Sequence, residues 1–419
     1  MREMKDSNYG YLGIVPQSWK VDKIKYHLKA LGMRNPGNAQ VLSVYREYGV
    51  IPKDSRDDNH NVTSEDTSNY RYVRKGDFVI NKMKAWQGSM AVSRYTGIVS
   101  PAYYVYKFTD DALNRGYFHY LLRSKLYAAE FARISGGIRV GQWDLSAYNF
   151  ENTMLLIPPL EEQGKIATFL DSQCSEIDAI SADIQKEIEI LEQYKRSLVF
   201  EAISKGINGE KTANASSDIW KEIPQSWKLV DIKYLFEIVK RIAGREGYNI
   251  LSVTQKGLKV KDISGNQGQI AENYSGYQFV FPSDYVMNHM DLLTGWIDCS
   301  DQFGVTSPDY RVFRLRDKTQ NDTEYYKYVM QCCYMCRIFY SLGQGVSTLG
   351  RWRLQTSAFM NFKVPVPPLH EQKEIARYLN DKCKEIELSI EQKRKQLELL
   401  SAYKKSLIYE YVTGKKEVF

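Results

Sequence analysis

The sequence predicts a mixed α/β (α+β) chain built twice over. Two tandem globular modules are each followed by a long helix, and the two helices are expected to pair as an antiparallel coiled coil with pseudo-twofold symmetry. Three observations predict this. A segment near the N-terminus returns half a chain later, each copy mixes short β-branched runs with a helical stretch, and each copy closes on a Pro-Pro pair that opens a heptad pattern. At 419 residues the chain is also too long for one core, so two modules with their helices fit its size.

The first element is the repeat itself. VPQSWKVDKIKY at 15–26 returns as IPQSWKLVDIKY at 223–234, a shift of 208. VLSV at 41–44 returns as ILSV at 250–253, GDFVINKM at 76–83 as SDYVMNHM at 283–290, and SPAYYVYKF from Ser100 as SPDYRVFRL from Ser307. IPPLEEQGKIATFL from Ile157 returns as VPPLHEQKEIARYL from Val366, now at a shift of 209. An offset that drifts by a residue or two places the insertions in loops, so both halves share one fold.

Within each half, runs such as FVINKM, YYVYKF and MLLIP, separated by Gly, Pro, Asn and Asp, predict strands joined by turns. A helical stretch follows at 113–133 in the first copy and 324–342 in the second. Each module ends at Pro158-Pro159 or Pro367-Pro368, where ring geometry suits a helix start. Leu170, Ile177, Ile184, Leu191 and Leu198 then fall at strict sevens. In the second copy Leu379, Ile386, Lys393, Leu400 and Leu407 keep that frame with one lysine interruption, while Cys383, Ile390 and Leu397 add the neighbouring row. About 40 residues at 1.5 Å rise make a rod of roughly 60 Å. The alternative is an amphipathic helix lying on its own module, although a sequence-adjacent core seldom needs so many unbroken heptads. The polar, Gly-containing segment 205–222 reads as a linker. The expected boundaries are 1–157 and 223–366 for the modules and 158–204 and 367–419 for the helices.

Composition narrows the function classes. A hydrophobic fraction of 43% and an aromatic fraction of 13% exclude a disordered chain. The formal net charge of +7 permits an acidic partner such as nucleic acid without demanding one. No apolar stretch has signal-peptide or membrane-spanning length, so a cytoplasmic protein without membrane contact is expected. Six cysteines show no framework spacing. The lone CxxC of Cys333 and Cys336 lacks the second ligand pair that zinc needs, so these thiols read as buried hydrophobes and no metal site is expected. Catalytic patterns are missing too. SPAY and SPDY stand where an adenine methyltransferase needs Asn-Pro-Pro-aromatic, and there is no Walker A run, HExxH spacing or nucleophile elbow, so no catalytic residues are assigned.

The two PPLxEQxxIAxxL stretches at 157–170 and 366–379, the PQSW at 16–19 and 224–227, and the GD...N.M...WQG pattern at 76–88 resemble the specificity (S) subunit of type I restriction-modification systems over essentially the whole chain. The second copy departs at Ser283, His289 and Leu293, where the first has Gly76, Lys82 and Trp86, which puts carry-over of any base contact in doubt. The resemblance implies two target-recognition domains, each reading one half of a bipartite site in double-stranded DNA. The helices would serve as spacer and docking surface for two methyltransferase (M) subunits, with restriction/translocase (R) subunits joining the complex. It implies no cofactor in this chain, with S-adenosylmethionine, ATP and Mg expected in partner subunits. The helix-start residues Glu162, Gln163, Glu371 and Gln372 are the candidate partner contacts.

For DNA, SGGIRVGQWDL at 135–145 and LGQGVSTLGRWRL at 342–354 combine glycine, arginine, glutamine and tryptophan before the closing strand. Arg139, Arg351 and Arg353 can fork onto guanine or phosphate, and Gln142 and Gln344 can pair with adenine. Trp143 and Trp352 read as packing anchors. Lys82 and Lys84 beside Trp86 suit phosphate contact better than base reading. A non-catalytic coiled-coil adaptor, with two ligand-binding modules that never meet DNA, is the competing reading.

Overall fold

The computed structural model describes residues 2–46, 48–55, 63–137, 143–261, 273–345 and 352–418. These form two compact units, residues 1–185 with 395–419, and residues 186–394. Each unit thus contains one module, the first part of the helix that follows it, and the closing part of the other long helix.

In unit 1 a four-stranded antiparallel sheet has the order Leu28–Ala30, Tyr103–Phe108, Phe78–Asn81, Met90–Val92. Phe78, Val79 and Ile80 are all buried, because the sheet is covered on both faces. Phe78 and Ile80 face the helical side, where Phe78 meets Phe118 at 5.0 Å and stacks on Phe150 at 5.9 Å. Val79 faces the other way, into a smaller cluster with Leu42, Val44, Val73 and Val99 from the hairpins Leu42–Tyr45/Gly49–Pro52 and Arg71–Val73/Gly97–Val99. Alternation along a single strand therefore feeds two cores.

Unit 2 repeats this plan. Its sheet order is Phe236–Val239, Arg311–Leu315, Tyr285–Met287, Ile297–Cys299. Tyr285 and Met287 enter the large core, and Val286 the small one with Leu251, Val253, Val280 and Val312. The expected helical stretches are interrupted. In unit 1 Ser124, at ψ 158°, separates Arg115–Arg123 from Lys125–Ile134, and in unit 2 Arg337, at φ 55°, separates Thr323–Met335 from Ile338–Ser341. Cys332 and Cys333 lie fully inside the Thr323–Met335 packing, as hydrophobes, whereas Cys336, expected to be buried with them, is exposed at the end of that helix.

The long helices run Leu160–Lys205 and Leu369–Val412. In unit 1 they pair antiparallel, with Phe169 against Tyr411 at 4.5 Å and Lys404 on Asp178 at 2.6 Å. Within unit 2 the sense is the same, with Lys195 on Glu387 at 2.5 Å and Lys393 paired to Glu187. That ion pair accounts for the lysine in the heptad frame, since its half-buried ammonium meets a carboxylate of the facing helix.

One expectation is corrected. The segment 205–222 is no mere linker, because Thr212–Asn214 pairs with Glu222–Pro224, as Met4–Asp6 pairs with Ile14–Pro16 in unit 1. Trp220 is buried and its Nε1 donates to the Lys363 carbonyl at 2.8 Å, the duty that the Tyr11 hydroxyl performs on Met154 at 2.9 Å. The second copy therefore opens near Thr212. Unlike side chains filling one role hide this stretch of the repeat from letter-by-letter comparison.

Gly76 at φ 94° and Ser283 at φ 69° occupy one turn, whose next residue, Asp77 or Asp284, accepts a backbone N–H three residues back at 2.8 Å. Left-handed backbone costs an L-residue about 1 kcal/mol. Ser283→Gly is accordingly expected to raise the unfolding free energy by up to about 1 kcal/mol, and Gly76→Ser to lower it by a similar amount. Denaturant titration of both variants checks the opposite signs.

Candidate nucleic-acid interface

The glycine-rich loop of each copy leaves its module as a two-stranded stalk. Gly136 and Asp144 exchange backbone hydrogen bonds at 3.2 and 2.7 Å, and Gln344 and Arg353 do so at 3.0 Å each way. The chain then closes identically in both units. Leu145 N–H donates to the Lys82 carbonyl at 3.0 Å, and Leu354 N–H to the His289 carbonyl at 2.9 Å. The loop that follows the Phe78–Asn81 strand and the stalk are thereby brought together, joining two stretches that the sequence singled out separately.

Arg139, Gln142 and Arg351 lie outside the described residues. Lys82 extends its ammonium to Asp144 at 3.2 Å, so its charge is already matched at the stalk base. Lys84 is exposed, with no ion pair among the described residues. Gln344 and Arg353 are both exposed on the second stalk. Trp143 is half-buried against Trp86 at 5.2 Å, and Trp352 against Tyr340 at 5.0 Å, which makes both packing anchors of the stalks.

Three residues around the second stalk carry more chemistry than sequence alone indicated. Arg311 is 5% exposed, donates to the Leu354 carbonyl at 3.0 Å and to Thr356 Oγ1 at 3.2 Å, and lies 4.9 Å over the Phe359 ring. Burial, reinforced by Arg353, pulls its pKa down to about 10, which leaves it charged at neutral pH. Burial with Arg311 and Arg353 nearby also pulls His289 down to about 4, and so neutral. The exchange of Lys82 for His289 was the one visible signal. Arg311 sits inside a strand motif, where an arginine reads as an outward-facing residue.

The helix-start residues proposed as partner contacts turn inward. Gln163 and Gln372 are buried. Gln163 Oε1 accepts from Asn114 N–H at 2.7 Å and its Nε2 donates to the Ala112 and Pro158 carbonyls at 2.9 Å each. Gln372 takes Asp322 N–H at 2.8 Å and donates to the Pro367 carbonyl at 2.9 Å. Trp19 Nε1 donates to Glu162 at 3.1 Å, and Trp227 Nε1 to Glu371 at 2.8 Å. Glu162 is further held by Arg2 at 2.7 Å. With their polar atoms spent on backbone and indole groups, these four side chains join helix to module and have little left to offer a partner.

The frame is duplicated, with an unlike stalk base in each copy. Residues 19–190 and 224–399 match the family described as type I restriction modification DNA specificity domain, and the chain belongs to that family. It is thus a specificity subunit, not a catalytic one. It is 25% identical to the type I restriction enzyme MjaVIII specificity subunit of Methanocaldococcus jannaschii, over 96% of this chain and 94% of that one. Identity to the putative MjaX specificity subunit of the same organism is 24%, over 97% and 96%. Identity to the EcoBI specificity subunit of Escherichia coli is 23%, over 64% and 58%. A chain solved in work on complex assembly and conformational transition of the type I R-M system shares the fold, with a TM-score of 0.67 and 13% identity over 95% of this chain and 98% of that one.

Removing either buried glutamine strands a backbone N–H. Gln163→Ala and Gln372→Ala are each expected to lower the unfolding free energy by about 1–3 kcal/mol. Chemical unfolding tests this, and full retention of stability would return these side chains to the candidate partner contacts.

Proposed function

We propose that the chain binds double-stranded DNA and that each unit reads one half of a bipartite site. The observation that carries this reading is the contrast between frame and stalk. Sheet order, turn geometry and helix junction repeat, while the residues at the stalk base change from Lys82 and Asp144 to His289 and Arg353. A repeated frame with unlike polar stalk bases suits two unlike half-sites. Arg139, Gln142, Gln344, Arg351 and Arg353 are the proposed base and phosphate contacts, with Lys84 on phosphate.

In this reading the long helices set the unread gap and dock two methyltransferase subunits, with restriction/translocase subunits joining the assembled complex. Cofactor chemistry, with S-adenosylmethionine, ATP and Mg, belongs to those partners. Genome-wide mapping of methylated bases, with and without this chain, tests the reading. It is expected to yield two unlike half-sites at one fixed spacing. A methylation pattern indifferent to the chain would overturn it in favour of an adaptor that does not bind DNA.

Two variants sharpen the test. Arg139→Ala with Arg351→Ala should weaken binding of a cognate duplex far more than it changes the melting temperature, and equal loss of both would remove those arginines from the interface. Inserting one heptad into both long helices should lengthen the gap and leave both half-sites unchanged. An unaltered gap would rule out the helices as its ruler.

A further inference from the structure

The two units differ in charge at one equivalent place, the base of the stalk. The equivalence rests on backbone geometry. Tyr104 pairs with Ile80, and Arg311 with Met287, at the same step of the central sheet. Lys82 and His289 each accept from the leucine that closes the stalk, and Asp144 and Arg353 each form its inner rung. Unit 1 therefore places Lys82, Tyr104 and Asp144 where unit 2 places His289, Arg311 and Arg353.

In unit 1 the lysine and aspartate pair at 3.2 Å and neutralise each other, and Arg71 lies 5.5 Å over the Tyr104 ring. In unit 2 the aspartate has become a second cation. The hydrogen-bond partners of the Arg311 guanidinium, the Leu354 carbonyl and Thr356 hydroxyl, are neutral, and Arg311 and Arg353 form no ion pair with a carboxylate among the described residues. Arg353 is exposed and lies against Met290 Sδ, a weak acceptor. His289 Nδ1 is buried and has no hydrogen-bond partner. The exposed Asp309 opposes the two arginines at His289 without pairing to any of the three, and Asp291 accepts from the Leu293 and Thr294 N–H groups of its own turn. Burying a guanidinium without a counter-charge is costly, and a fixed anion removes that cost.

We propose that His289 and Arg353, over the buried charge of Arg311, hold one phosphate of the DNA backbone, a contact that unit 1 does not make at the equivalent place. The inference rests on the DNA-reading function above. A phosphodiester fits because a guanidinium fork matches two of its oxygens, the imidazole supplies one further N–H, and the buried charge behind them is insensitive to sequence. Unit 2 would then grip its half-site partly through this anion contact.

The test exchanges the two bases. In the full-length chain, His289→Lys with Arg353→Asp installs the unit 1 ion pair, and binding to a duplex carrying the mapped site is measured against salt. The slope of log K against log salt is expected to fall in magnitude by about one, with roughly tenfold weaker binding at 0.1 M salt that converges on wild type towards 1 M. Arg353→Gln, a change at an exposed position, gives the same readout if the double variant unfolds. An unchanged slope in folded protein, with Arg139→Ala and Arg351→Ala still weakening binding, overturns the phosphate site and leaves the DNA reading intact. If the wild-type chain binds no duplex, the DNA reading itself fails. The anion site is then decided by inorganic phosphate, which must raise the Tm of wild type and not of the exchanged variant; an equal response overturns it.

Discussion

The geometry of each unit depends on one buried amide. A helix that starts after two prolines has its first N–H groups unpaired and nothing in its own sequence to fix its direction. Gln163 and Gln372 answer the second of these by facing backwards. Each reaches the proline carbonyl just before its helix and the N-terminus of the module's own helix, at Asn114 or Asp322. Two segments distant in sequence thus meet at one side chain, and the indole–carboxylate bonds from Trp19 to Glu162 and Trp227 to Glu371 lock the same joint from the side. A recognition module carried on a helix is useful only if its angle to that helix is set, and an amide with every polar group paired in the interior sets it more rigidly than apolar contact alone.

Periodicity and repetition made the architecture legible. Two cores per module follow from strands such as Phe78–Asn81, whose unbroken apolar run signals cover on both faces. The heptads mark the paired helices, and even the misfit Lys393 belongs to the seam once Glu187 is seen opposite it. What sequence missed has a common cause. The PPLxEQ motif draws attention because it occurs twice, and repeated polar residues resemble a shared binding surface. Buried polar residues that join segments repeat for the same reason that core residues do, so repetition alone does not separate the two. Trp220 shows the opposite failure, for it replaces Tyr11 in function without resembling it in sequence.

The candidate interface was legible in outline and not in its charges. Sequence placed glycines, arginine and tryptophan before the closing strand in both copies, and the stalks are there. It could not reveal that Lys82 is answered by Asp144, 62 positions away, because that contact exists only once the loop and stalk are sewn together. Nor could it show that Arg311, at the start of a strand in which only Arg314 is exposed, turns its guanidinium into the interior. Charge counted along a chain is a poor guide to charge at a surface, since one ion pair removes two residues from the potential that a ligand meets.

The stalk base also explains how one frame can carry two different surfaces. Its joints to the module are main-chain hydrogen bonds, from Leu145 to Lys82 and from Leu354 to His289, and its inner rungs are main-chain as well. None of these bonds depends on which side chain stands at 82 or 289, or at 144 or 353. Those positions can therefore pass from a neutral ion pair to a cationic cluster while the strand register holds. The tryptophans behind them, packed on Trp86 in one unit and Tyr340 in the other, fill the space that must not change. Backbone carries the shape and side chains carry the choice, so the surface can diverge between units without loosening the glutamine joint that aims it.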